Sequence, residues 1–173
     1  MEGAKKGGNM AIVMVRLGRL ALMLAVVVGL AAPPAYAKDG VCREGNCENG
    51  TGRFEYESGM VYTGDWQKGK ESGRGVMTTA SGTRYEGEYR DGLPHGRGTI
   101  AFPDGRKYEG EWQAGHPEGR GIETQAAGVS YDGQWHEGVP HGKGTKKRNG
   151  KIEQDGYWLE GKFVGPEKPK KLK

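Results

Sequence analysis

Phenylalanine is scarce in this chain, with 3 residues in 173, whereas glycine occurs 33 times. Hydrophobic residues of every kind reach only 34%, and the mean hydropathy is -0.78. A globular domain usually carries more apolar residues than this. An enzyme fold with a parallel sheet between helices needs a deep aliphatic core, and the side chains to fill one are missing. Collagen is excluded as well, because the glycines do not fall at every third position. At this length the chain holds at most one modest domain.

Long apolar runs are also lacking, apart from one at the front. Lys5, Lys6, Arg16 and Arg19 precede an uncharged run from Leu20 to Ala32, followed by Pro33, Pro34 and Ala35-Tyr36-Ala37. A basic start, a short apolar stretch and an A-x-A site predict a secretory signal peptide over 1–37, cleaved after Ala37. The alternative is a membrane anchor, but a spanning helix needs roughly 20 apolar residues. Met1, Met10 and Met14 all remain candidate starts. The expected location is periplasmic or secreted.

Cleavage changes the charge balance. The segment carries four basic residues and Glu2; removing them from totals of 26 and 22 leaves 22 basic and 21 acidic, a net of +1. Lys38 to Gly138 holds 12 basic and 17 acidic residues, whereas Val139 to Lys173 holds 10 and 4. The positive charge is thus a property of one end.

What the chain has in abundance is repetition, which takes precedence in reading it. Tyr62, Tyr85, Tyr108 and Tyr131 lie 23 residues apart, as do Gly64, Gly87, Gly110 and Gly133. An aromatic follows at Trp66, Tyr89, Trp112 and Trp135. Further glycines recur at 69, 92, 115 and 138, at 73, 96, 119 and 142, and at 75, 98, 121 and 144. A degenerate fifth unit keeps Gly156, Trp158 and Gly161 but has Gln154 in the tyrosine position. A half unit comes first, with Gly50 and Gly52 matching Gly73 and Gly75. The expected division is a cap and half repeat over 38–58, an array over 59–163 and a disordered basic tail over 164–173.

The stretch Tyr85-Glu86-Gly87-Glu88-Tyr89-Arg90-Asp91-Gly92-Leu93-Pro94-His95-Gly96-Arg97-Gly98 resembles a MORN repeat (membrane occupation and recognition nexus). The resemblance covers about residues 50–163 and, with the leader, points to an exported bacterial type. It implies one β-hairpin per repeat, stacked into an elongated antiparallel sheet. It also implies a scaffold for proteins or, in some arrays, contact with acidic lipid.

The residues support an all-β reading independently. Alternate side chains of a strand share a face, so Tyr62, Gly64 and Trp66 lie together, with Thr63 and Asp65 opposite. Gly96, Gly98, Ile100 and Phe102 fall on one face of the second strand. Pro103-Asp104-Gly105 and Asn149-Gly150 mark turns, and the other turns are expected to run through Asp91 to Gly96 and its equivalents. Two strands per unit predict a rise of about 9.6 Å, and a sheet roughly 45 Å long. Glycine weakens a strand, so its recurrence beside aromatics predicts rings lying flat over the glycines of the neighbouring strand.

Cys42 and Cys47 are the only cysteines. Counting back by 23 places them at the positions of Asp65 and Lys70, across a hairpin end. In an oxidising compartment a structural disulfide is favoured; a redox pair and a metal pair are the alternatives, the latter poor because no His or Cys stands close by.

Candidate chemistry is sparse. His95 and His141 recur in Pro-His-Gly, predicted as turns about 19 Å apart, too far apart to share a zinc ion. Glu86/Glu88 and Glu109/Glu111 could suggest a glycosidase pair, but their recurrence marks a solvated face. No serine has a triad around it and no phosphate loop is present. We therefore expect no enzyme, no cofactor, no metal, no small-molecule substrate and no nucleic acid partner. The aromatic row could stack sugars, although burial is the commoner fate of such rings. Lys143, Lys146, Lys147, Arg148 and Lys151, with Lys168, Lys170, Lys171 and Lys173 of the tail, could meet an anionic surface. A scaffold that binds a protein partner is the favoured function. A peripheral binder of acidic lipid or cell-wall polymer is the alternative.

Overall fold

The computed structural model describes residues 39–170. The expected leader over 1–37 lies outside the described residues. Twelve strands form one antiparallel sheet in sequence order, each paired with its neighbours in the chain. They are β1 (Gly40–Gly45), β2 (Gly50–Tyr56), β3 (Val61–Gln67), β4 (Lys70–Thr78), β5 (Arg84–Arg90) and β6 (Leu93–Ala101), then β7 (Lys107–Gln113), β8 (His116–Thr124), β9 (Val129–His136), β10 (Val139–Arg148), β11 (Lys151–Leu159) and β12 (Lys162–Gly165). No helix occurs among the described residues. The all-β array of hairpins expected from the period is therefore the fold. β12 carries the sheet to Gly165, two residues into the stretch expected as tail.

Each repeat contributes one hairpin, and the Gly-x-Gly of its second strand has two separate tasks. Gly75 pairs with Gly64 on one side and Gly87 on the other. A Cβ on Gly75 would stand 2.3–2.4 Å from the Tyr62 ring, so only a bare backbone admits the ring there. Gly98, Gly121 and Gly144 lie under Tyr85, Tyr108 and Tyr131 in the same way. Gly73, two residues earlier, belongs to a bulge. The register jumps from Gly64↔Gly75 to Asp65↔Ser72, and Gly73 takes a φ of 57°, which glycine adopts without penalty.

The turns are tighter than expected. Asp91-Gly92 alone joins β5 to β6, with φ of 53° and 86°, the two-residue turn that matches strand twist. Leu93, Pro94 and His95 are strand residues, because the bulge absorbs the extra length. Lys68, Ala114, Glu137 and Glu160 occupy the first turn position with φ near 50°. Neighbouring turns are stitched together: the amides of Gly92, Gly115, Gly138 and Gly161 donate to the carbonyls of Glu71, Pro94, Pro117 and Pro140 at 2.9–3.0 Å.

The core is a single layer of rings on one face. Tyr62 and Tyr85 are 0% and 1% exposed, and Trp66, Tyr89, Tyr108, Trp112, Tyr131, Trp135 and Trp158 are also buried. Burying one such ring contributes on the order of 2–3 kcal/mol, more than the roughly 0.5–1 kcal/mol that a strand glycine costs. Gly110→Val is therefore expected to lower the melting temperature far more than Glu109→Val, although valine favours strands. A Cβ at Gly110 would meet Gly121, Arg120 and Tyr108 at 2.5–2.6 Å, whereas Glu109 points to solvent. Equal shifts in thermal unfolding of the two variants would contradict this packing.

Candidate binding surfaces

The aromatic row is fully committed to the fold. From Tyr62 to Trp158 the rings meet edge to face in an unbroken zigzag, with centroids 5.0–5.3 Å apart. Phe54 and Phe163 extend it at the two ends. The four tyrosine hydroxyls spaced by 23 residues each donate to the carbonyl three residues on in their own strand: Tyr62 to Asp65, Tyr85 to Glu88, Tyr108 to Glu111 and Tyr131 to Gln134, at 2.9–3.1 Å. The indoles of Trp66, Trp112, Trp135 and Trp158 donate to the carbonyls of Gly52, Gly98, Gly121 and Gly144. Rings held on both edges and buried do not offer themselves to sugars. Burial pushes the phenols of Tyr62, Tyr85, Tyr108 and Tyr131 well above the usual tyrosine range.

Tyr89 breaks the series. It occupies a tryptophan position but cannot extend an indole N–H toward Gly75, and its own hydroxyl is buried without a partner among the described residues. Burial raises its pKa as well.

The opposite face carries the charge. Glu88 and Glu111 are not merely solvated, as the recurrence of their pairs suggested. With Asp65 and Gln134 they accept the backbone amides freed by each bulge, from Arg97, Arg120, Arg74 and Lys143 at 2.8–3.3 Å. The 23-residue spacing of positions 65, 88, 111 and 134 was the available signal for this role, and composition gave none. Glu86 and Glu109 pair with Arg84 and Lys107.

His95 and His141 lie in β6 and β10, not in turns. His141 stands 5.5 Å, centroid to centroid, from His136, whose Nδ1 is 3.0 Å from Glu118. That carboxylate raises the pKa of His136. No cluster suited to a metal ion occurs among the described residues.

At the first end, Cys42 and Cys47 place their sulfurs 2.06 Å apart, a disulfide. Their setting is not the one obtained by counting back 23 residues. A register shift between Cys42 and Glu44 sets Cys42 opposite Phe54, where the following strand sets Tyr62. The Cys47 sulfur lies 2.8 Å from where a Cβ on Gly52 would stand. The disulfide thus roofs the first glycine, as tyrosines roof the later ones.

At the last end the basic residues gather on β10 and β11. Arg148 and Lys146 pair with Glu153 at 2.5 and 3.7 Å. Lys143, Lys147 and Lys151 make no ion pair among the described residues. Lys168 and Lys170 follow β12, while Lys171 and Lys173 lie outside the described residues. The core-face position filled by Phe54, Met77 and Ile100 turns polar here: Glu123 and Lys146 stand opposite Tyr131 in the strands on either side of it. Burial raises the pKa of Glu123.

These features define a tandem β-hairpin repeat protein with a closed aromatic face and an exposed charged one. The family model of the MORN repeat matches residues 62–84, 85–105, 108–129 and 131–151. The chain belongs to the MORN-repeat family. Comparison with the curated proteins gives no match.

Two outcomes follow from the ring layer. Tyr89→Trp should raise stability by about 1 kcal/mol, since it restores one buried hydrogen bond and removes an orphaned hydroxyl; denaturant melts of the variant measure it. The raised phenol pKa values favour the neutral folded form. That stability is complete below the unfolded tyrosine pKa of about 10 and falls above it, by up to about 1.4 kcal/mol per pH unit for each buried ring that ionises on unfolding. Alkaline titration followed by ultraviolet difference absorption should show these rings ionising together with unfolding.

Proposed function

We propose that this protein is a non-catalytic, exported scaffold that binds a protein partner through its exposed charged face and sheet ends. MORN repeats in general mediate binding to proteins or to membrane lipid, and repeat arrays present extended surfaces suited to this. The observation that carries the reading is that every ring of the core is spent on its neighbours, while the opposite face repeats charged positions along the whole sheet. The disulfide and the leader-like start support export to the periplasm or beyond.

A second reading has its own support. Lys143, Lys147 and Lys151 collect at one end with no ion pair among the described residues, so this end could hold acidic lipid or cell-wall polymer, each lysine contributing about 1 kcal/mol near an anionic surface.

Crosslinking the exported chain in envelope extract should recover a defined protein partner, and recovery of none counts against the scaffold. Removal of 166–173 should weaken co-sedimentation with anionic liposomes, and added salt should do the same, if lipid is the ligand. Binding unchanged by both would refute the lipid reading.

A further inference from the structure

The two ends of the sheet are finished differently. β1 presents its outer edge through a bulge at Cys42 and Glu44 and a disulfide, features that blunt an edge. At the other end, β12 pairs with only three residues of β11: Leu159, Trp158 and Tyr157. β11 begins at Lys151, so among the described residues its first six have no strand on their outer side. Elsewhere the second strand of a repeat runs nine or ten residues. Here the chain reaches Pro166, which has no N–H to donate, and residues 166–170 form neither a strand nor a backbone hydrogen bond among the described residues.

The direction of the open groups follows from the hairpin. Glu160-Gly161 is a two-residue turn, so the amide of Leu159 faces β12. Amides alternate along a strand, and the register of β11 against β10 is continuous from Trp158 to Gln154. The Asp155 amide therefore faces the open side.

We propose that the open edge of β11, from Lys151 to Asp155, is a strand-addition site for an acidic, extended segment of a protein partner. This rests on the scaffold reading and names its surface. Such addition takes its affinity from main-chain hydrogen bonds and its selectivity from alternate side chains. Selectivity here is electrostatic. Lys146, Lys147, Arg148 and Lys151 outnumber Glu153 and Asp155 around the slot, and Glu153 is already paired with Arg148 and Lys146. Ile152, 63% exposed, pairs with Lys147 and offers an apolar contact to a β-branched residue. The same lysines disfavour other occupants. The chain's own tail carries Lys168 and Lys170 and two prolines, and a second copy would bring the same excess of basic residues to the edge.

The test uses the full chain and an end-blocked peptide of alternating glutamate and valine. Amide hydrogen exchange over 151–156 should slow at least ten-fold at saturating peptide. Binding should weaken as salt rises from about 0.01 to 0.15 M, where the Debye length contracts from about 30 to 8 Å. A lysine–valine peptide should not bind. Asp155→Pro, at an outward amide that tolerates proline, should abolish the protection and cost no more thermal stability than Asp155→Ala, which likewise loses the hydrogen bond from Thr145 but keeps the amide and the protection. Lys147→Glu with Lys151→Glu should switch preference to the lysine–valine peptide. Protection at another segment, binding indifferent to both sets of substitutions, protection by anionic vesicles but not by the peptide, or self-association through this edge would each overturn the proposal. If the peptide fails while the Asp155→Pro chain still crosslinks to the wild-type chain's partner, the edge proposal falls and the scaffold stands.

Discussion

A phenol ring resting on two paired glycines is the contact on which the remainder of this protein depends. Tyr62 over Gly75 requires a strand without Cβ atoms at that point, and it fixes the register on both sides, because Gly75 pairs with Gly64 and Gly87 at once. The same ring meets Trp66 and Tyr89 in edge-to-face contact, so each repeat can close only against the next. The consequence is a core one ring thick that grows by addition. This is how a chain with 34% hydrophobic residues sustains a 12-stranded sheet with stability summed over nearest neighbours.

The bulge is the second half of the same device. Two extra residues in each second strand bring the carbonyl of Glu88 within reach of the Tyr85 hydroxyl, and the Glu88 side chain takes up the amide of Arg97. A buried hydroxyl without a partner costs stability, and Tyr89 shows the exception within the same row. Packing and polar satisfaction are thus coupled at every repeat, which accounts for the strict spacing of acidic or amide residues at 65, 88, 111 and 134.

An array that adds units must also stop. At the start a disulfide stands in for the missing ring, with the Cys47 sulfur over Gly52. At the end Gln154 replaces the tyrosine, the equivalent strand is cut short at Gly165, and basic residues gather where the carboxylates thin out. The regular middle is occupied with holding itself together. The ends are where the pattern is released, and where the sheet has backbone and charge to offer a partner.

Periodicity alone determined one hairpin per repeat, the shared face of the tyrosines and tryptophans, and the place of each repeated glycine, because a 23-residue spacing kept over four units gives every unit the same pairing. Asn149-Gly150 and Pro103-Asp104-Gly105 were legible as turns for the same local reason. The two-residue turn at Asp91-Gly92, the bulge caps and the slip that sets Cys42 opposite Phe54 were decided only in the folded sheet. Each depends on which backbone group is left over after two strands have paired, and that remainder is a property of the pair, not of either segment alone.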